Sequence, residues 1–157
     1  MKRMSLEKFK ERFPEYIGLV MEMIRGFKVP RKRFITIDFM KRSFKVGEST
    51  RLNTRWHCDG VNNNYCLFVV GPDHARTEFY KGTLPDVQKP SKSGDELLEY
   101  NNAIDEALAE AKGEPVPNEK PFYYTSNDIH RGRVVAENCH RIFLRVCSSD
   151  YIKPKEP

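Results

Sequence analysis

The sequence predicts a mainly β (α+β) fold, a jelly roll or barrel rather than a parallel α/β sheet. About eight short β-prone runs are separated by turn residues, which is the spacing of an antiparallel all-β core. Helical patterns occur only at the front of the chain and in one later segment, so strands and helices do not alternate. The 157 residues suffice for one domain, and we assign 1–157 to a single domain.

Composition indicates a soluble protein that works in the cytoplasm. The chain carries a net charge of +5, with 39% hydrophobic and 31% charged residues. Its longest apolar run, Cys66 to Val70, is too short to span a bilayer, and the charged start lacks the apolar core of a secretory signal. The four cysteines form no CxxC pair, so we expect reduced thiols rather than a disulfide scaffold or a zinc finger.

Residues 1–30 have the pattern of helices that support a sheet. Ser5 is a suitable N-cap, and Leu6, Phe9 and Phe13 recur at helical spacing. Pro14 ends the first helix and begins a second, for which Gly26 provides the stop.

The β core is expected in residues 33–81 and 121–148. Turn residues at 60–64 and 71–73 separate two of its runs. The predicted strands cover residues 34–40, 54–59, 65–70, 76–80, 122–124, 129–131, 134–135 and 141–147.

Residues 82–119 interrupt the strands and predict a helical insertion. Prolines mark both flanks of this segment. Ser93 and Glu96 have the spacing of a capping box, and apolar residues from Leu97 to Ala111 recur on one helical face. We therefore expect a helix over Ser93–Lys112, near the mouth of the core.

A metal site is predicted by His57 and Asp59. Residues i and i+2 of a strand point to the same face, so this imidazole and this carboxylate project together while Cys58 points away. Nitrogen and oxygen donors suit a borderline divalent ion such as Fe(II). His130, on a late strand, would complete a facial triad and leave three octahedral positions for other ligands.

The last predicted strand carries two arginines on one face. Arg141, Phe143 and Arg145 alternate with Ile142, Leu144 and Val146. Guanidinium groups bind carboxylates through paired hydrogen bonds, so this face is suited to a bound carboxylate.

The ordered set His57-x-Asp59, His130 and Arg141 resembles the Fe(II)/2-oxoglutarate-dependent dioxygenases over residues 34–147. The resemblance implies a double-stranded β-helix in which His57, Asp59 and His130 bind Fe(II). It places the far carboxylate of 2-oxoglutarate on Arg141, with Tyr65 as a further hydroxyl partner. Arg145 is expected in the same pocket, either as a second contact or as an ion-pair partner of Glu78 or Asp59.

The activity implied by the resemblance is hydroxylation of a C–H bond, with 2-oxoglutarate and O2 as cosubstrates. We nominate Arg131 and the polar loop containing Asn62 as groups that position the substrate. Their polar and cationic character favours a small polar molecule or a protein side chain, and no membrane partner. Two alternatives stay open: an oxygenase that modifies a nucleic-acid base, which the positive charge suits, and a non-catalytic jelly-roll or cupin-like binding module.

Overall fold

The computed structural model describes residues 2–50 and 54–155, so residues 1, 51–53 and 156–157 of the predicted domain lie outside the description. Three α-helices and seven β-strands occur in these described ranges. The helices are α1 (Leu6–Arg12), α2 (Ile17–Arg25) and α3 (Asp95–Ala107). The strands are β1 (Phe34–Phe44), β2 (Asn64–Val70), β3 (Glu78–Phe79), β4 (Glu114–Pro115), β5 (Phe122–Thr125), β6 (His130–Arg131) and β7 (Cys139–Ser149).

The strands form two antiparallel sheets, which confirms a mixed fold with antiparallel sheets and few helices. One sheet has four strands in the order β1-β7-β2-β5, and the other has three in the order β4-β3-β6. Phe34 pairs with Ser149, and Asn64 pairs with Ser148 and Thr125. The starts of β1 and β2 therefore lie beside the ends of β5 and β7, at what we call the Phe34 end.

Apolar side chains fill three successive layers. Alternation along β2 and β7 separates the first two, because Cys66, Leu144 and Val146 face α1 and α2 while Leu67 and Phe143 face the second sheet. A third cluster lies between the second sheet and α3 and contains Trp56, Cys58, Ile104, Leu108 and Ile129. The N-terminal helices and α3 thus cover opposite outer faces of the paired sheets.

Two predicted strands are reduced to single bridges. Within 54–59 only His57 pairs with another strand, at His130, and within 134–135 only Val134 does, at Ser49. The neighbouring amides of the first segment bind side chains of α3 instead: Trp56 N–H donates to Asp105 (2.8 Å) and Cys58 N–H to Asn101 (2.9 Å). A helix therefore covers this strand edge, where the pattern predicted a longer strand.

The predicted insertion is less helical than its sequence indicated. Helix α3 begins after Gly94, whose φ of 120° is accessible to glycine, and the Ser93–Glu96 capping box does not form. The short strand β4 also lies within 82–119 and pairs with β3. The prediction missed it because two residues carry no periodic pattern.

Other local predictions are confirmed. The Ser5 side chain caps α1 by accepting from Lys8 N–H at 3.1 Å. The four cysteines are free, and three of them are buried. None of the helices within residues 2–50 and 54–155 is long and apolar enough to cross a membrane.

Candidate metal centre

His57, Asp59 and His130 come together between the two sheets. The two histidines are directly opposite each other and exchange both backbone hydrogen bonds, at 3.0 and 2.9 Å. Asp59 Oδ1 lies 3.4 Å from His57 Nε2, and Asp59 Oδ2 lies 2.9 Å from His130 Nε2. One ligand atom from each of the three residues lies within 4.8 Å of the others. The structure therefore brings the three predicted ligands together in a group that could hold a metal ion.

The spacing of these donors suits one divalent ion. Two ligand atoms about 2.1 Å from a metal and at right angles to each other are separated by about 3.0 Å. The two nitrogen–oxygen distances bracket that value. Two imidazoles and one carboxylate are also a donor set that suits borderline transition metals, whereas Mg²⁺ and Ca²⁺ prefer oxygen ligands.

Backbone carbonyls fix the tautomer of both imidazoles. His57 Nδ1 lies 2.8 Å from the Arg55 carbonyl oxygen, and His130 Nδ1 lies 3.1 Å from that of Asp128. A carbonyl only accepts, so each Nδ1 must carry a proton. Once a metal ion replaces the Nε2 proton that faces Asp59, each neutral ring would present its Nε2 lone pair to that ion. The sequence did not identify these acceptors, although in both cases the acceptor is the residue two positions earlier.

Asp59 is held ionised by its neighbours. Burial by itself raises the pKa of Asp59, but the charges of His130 and Arg145 and the imidazole hydrogen bonds together hold that pKa well below its usual range. Arg145 Nη1 donates to Asp59 Oδ2 at 2.8 Å. An ionised carboxylate is the form that binds metal.

Asp38 holds Arg145 from the opposite side. Arg145 donates to Asp38 Oδ2 through Nε (3.0 Å) and Nη2 (2.5 Å). Of the alternatives predicted for Arg145, the structure has the ion pair with Asp59, whereas Glu78 pairs with Arg131 and Arg133. Asp38 was missed, because its position on β1 opposite Arg145 follows from strand register.

Helix α3 fixes the segment that carries His57 and Asp59. Asn101 binds both backbone groups of Cys58, accepting from N–H (2.9 Å) and donating to the carbonyl (3.2 Å), and Asp105 accepts from Trp56 N–H. Asn101 and Asp105 are one helical turn apart on the same side of α3 as Ile104. The signal for them in the sequence is polar residues within an otherwise apolar helix face.

Tyr65 supports the turn after Asp59. Its hydroxyl donates to the Asp59 carbonyl at 3.1 Å and accepts from Asn63 at the same distance, while its ring stacks on Tyr124. Burial raises the pKa of Tyr65 above its ordinary value, so the hydroxyl stays protonated. The predicted contact between Tyr65 and 2-oxoglutarate remains a prediction, and the hydroxyl proton already has an acceptor.

Arg141 lies on the inner face of β7 and is 1% exposed. Its guanidinium donates to the Thr50 carbonyl (3.5 Å) and to the Thr77 hydroxyl (3.4 Å), both uncharged oxygens. Thr77 is therefore a second polar group beside the predicted carboxylate anchor. Sequence reasoning missed it, because Thr77 precedes β3 in a stretch with no distinctive motif.

The two nominated substrate-positioning residues have other contacts. Arg131 points to the α3 side of its sheet, opposite His130, where it pairs with Glu78 at 3.3 Å and lies 4.1 Å from the Trp56 ring centre. Asn62 is exposed, with a φ of 58°, and its carbonyl accepts from the Lys32 ammonium. Their role in binding substrate remains a prediction, and for Arg131 the direction of the side chain argues against it.

A cavity of about 970 Å³ opens beside the centre. Asp59, Arg145 and Tyr65 line it near the metal group, and Lys2, Arg3, Thr50 and Tyr151 are among its other lining residues. Cavities that hold small ligands have volumes of about 300–1,000 Å³. Of the three candidate ligands, Asp59 is thus accessible to a molecule larger than water.

No protein-family model matches this chain, and neither the curated proteins nor the solved structures gave a match.

Proposed function

We propose that this protein is an Fe(II)- and 2-oxoglutarate-dependent oxygenase that hydroxylates a C–H bond, with a small polar molecule, a protein side chain or a nucleic-acid base as the candidate substrate classes. The observation on which the proposal rests is the His57–Asp59–His130 group beside an open cavity. Two histidines and one carboxylate leave ligand positions free on a six-coordinate ion, as non-haem iron oxygenases require. When bound, iron would activate O2 for insertion into the C–H bond, with 2-oxoglutarate converted to succinate and CO2.

The path of the chain supports a double-stranded β-helix. In chain order, the strands alternate between the four-stranded sheet and the three-stranded sheet, except that β3 and β4 follow each other in the same sheet. The four-stranded sheet contains β1, β2, β5 and β7, and the other side contains the His57 segment, β3, β4 and β6. This alternation is the same read from either end of the chain. A ribbon of two antiparallel strands wound into a helix produces such a path, and it is the topology of a jelly roll.

Arg141 and Arg145 have different roles in this proposal. Arg141 would bind the far carboxylate of 2-oxoglutarate, helped by the Thr77 hydroxyl, because the Thr50 and Thr77 oxygens to which it donates are uncharged and a carboxylate can replace them. Arg145 would hold Asp59 in place, because Asp38 and Asp59 already occupy its donors. The near carboxylate and keto oxygen would bind the metal.

The first test of the proposal measures metal and turnover together. Wild-type protein reconstituted with Fe(II) without oxygen should hold about one ion, and with ascorbate, O2 and 2-oxoglutarate it should form succinate slowly. His57→Ala and Asp59→Ala should hold no ion and form no succinate. The control is His74→Ala, at a half-buried histidine that accepts from Ala136 N–H. Wild-type iron content in either ligand variant, or neither succinate nor 2-oxoglutarate binding by the wild type, would refute the proposal and favour a non-catalytic module.

The second test separates the two arginines. Losing a buried charged contact costs about 3 kcal/mol, so Arg141→Ala should raise the 2-oxoglutarate concentration needed for half-maximal succinate formation by about a hundredfold. Thr77→Val should raise it less, and neither variant should change iron content. If Arg145→Ala has the larger effect on 2-oxoglutarate and leaves iron unchanged, the assigned roles are reversed.

A further inference from the structure

Cationic side chains converge at the Phe34 end of the molecule, beside the cavity. They come from three short segments, 2–3, 31–33 and 150–155, which contain a single carboxylate, Asp150. We call this group the basic cluster, and it consists of Lys2, Arg3, Arg31, Lys32, Arg33, Lys153 and Lys155. The whole chain has a net charge of +5, so the rest of the molecule is close to neutral.

Strand register brings these segments together. Phe34 pairs with Ser149, which places residues 31–33 beside residues 150–155, and Arg33 N–H donates to Asp150 at 3.1 Å. Lys155 N–H donates to the Arg3 carbonyl at 2.8 Å, which joins the C-terminal segment to the N-terminal one. The cluster is therefore a continuous surface built from segments that are distant in sequence.

The basic cluster borders the opening to the metal centre. Lys2, Arg3 and Tyr151 line the cavity that contains Asp59 and Arg145. The Lys32 ammonium donates to the Asn62 carbonyl, in the loop that follows Asp59. A polyanion bound to the cluster would consequently pass across the cavity mouth.

Aromatic rings are interleaved with the cations. Tyr151 is 70% exposed at the cavity mouth. The half-buried Phe34 ring has the Arg33 guanidinium 5.0 Å and the Lys153 ammonium 5.8 Å from its centre. Cations that track phosphates, next to rings on which bases stack, are the recognition chemistry of single-stranded nucleic acid.

We propose that the basic cluster and Tyr151 bind single-stranded nucleic acid, with one unstacked base directed into the cavity. This inference rests on the proposed function and selects the nucleobase from its candidate substrate classes. A volume of about 970 Å³ accommodates a nucleotide. Enzymes that modify a base need it outside the stack, which a single strand provides at the lowest cost. An acidic protein would match the charge but would leave Tyr151 without a stacking partner.

The test is equilibrium binding of fluorescently labelled 15-nucleotide DNA and RNA strands, followed by anisotropy in EDTA from 50 to 300 mM salt. Wild-type binding should weaken steeply with salt, by about 0.7 logarithmic units per unit of log salt for each phosphate contacted. Lys153→Glu combined with Lys155→Glu should weaken binding at least tenfold and make the salt dependence shallower. Tyr151→Ala should weaken it about tenfold, because stacking on one ring is lost.

The matched control reverses two exposed lysines away from the cluster, Lys112→Glu and Lys120→Glu. It carries the same change in net charge and should bind strands as the wild type does. Equal weakening by the control, or equal competition by polyglutamate, would overturn the inference. Strand binding without iron binding in a separate assay would refute only the proposed function, and iron-dependent succinate formation without strand binding would refute only this inference.

Discussion

The Asp59 carboxylate belongs both to the candidate metal group and to an ion pair with Arg145. Its Oδ2 accepts from both His130 and Arg145, and Oδ1 faces His57. Arg145 in turn lies between two carboxylates, those of Asp38 and Asp59, with its side chain 15% exposed. Removing this arginine would leave two partly buried negative charges close together, so its contribution to stability must depend on pH.

We expect Arg145→Leu to lose about 3–5 kcal/mol of unfolding free energy at pH 7, measured by urea denaturation in EDTA. In the wild type, the depressed pKa of Asp59 contributes to the free energy of unfolding. This contribution is complete above the unfolded pKa of about 3.9 and is lost as the pH falls through the folded pKa. Without the cation the pKa of Asp59 rises, so the difference between variant and wild type should shrink below about pH 4.

The exposed pair Arg42–Glu48 provides the comparison, since Arg42→Leu should cost less than about 1 kcal/mol at either pH. A pH-independent loss in Arg145→Leu would show that packing, and not the ion pairs, accounts for its effect.

Helix α3 is the element that determines whether the ligand segment is rigid. The His57 segment pairs with β6 through one residue, and the backbone groups of Trp56 and Cys58 bind Asn101 and Asp105. Groups that orient metal ligands commonly change metal affinity by 10- to 100-fold when removed.

Asn101→Ala should therefore lower the affinity for Fe(II) or Mn²⁺ about tenfold, as measured by calorimetry without oxygen. The neighbouring Asn102 is exposed on the same helix, and Asn102→Ala is the matched control. Both variants should keep the wild-type circular dichroism. Equal metal affinity in the two would mean that the single bridge to His130 is sufficient to hold the segment.

The same elements show what a sequence can and cannot predict. Alternation along a strand is local, so it placed His57 and Asp59 on one face and Arg141 and Arg145 together on another. The hydrogen bonds from Asn101 and Asp105 to the His57 segment were not predicted, because they depend on which turn of α3 lies beside a backbone that is distant in sequence. Strand β4 was missed because a two-residue strand exists only through its pairing with β3.

At the scale of the whole molecule, the metal group depends on the complete fold. Asp59 and His130 are 71 positions apart, and the α3 insertion lies between them. An unfolded chain does not hold them together, so a metal ion held by this group would bind the native state and stabilise it by mass action.

Mn²⁺ at a hundred times its dissociation constant should raise the unfolding free energy by about 2.7 kcal/mol. The measurement is urea denaturation with and without the ion. Asp59→Ala should show no such increase, and an equal increase in this variant would mean that the ion binds elsewhere.

His57 and His130 are related by a local twofold axis. They exchange equivalent backbone hydrogen bonds, and each imidazole donates through Nδ1 to the carbonyl oxygen two residues before it. Half a turn about this axis carries the position of Asp59, two residues after His57, onto Gly132, two residues after His130. The symmetry is thus broken at one pair of positions, where one member has a carboxylate and the other has no side chain. That asymmetry gives the group three candidate donors instead of four, so a six-coordinate ion held there would keep positions for other molecules.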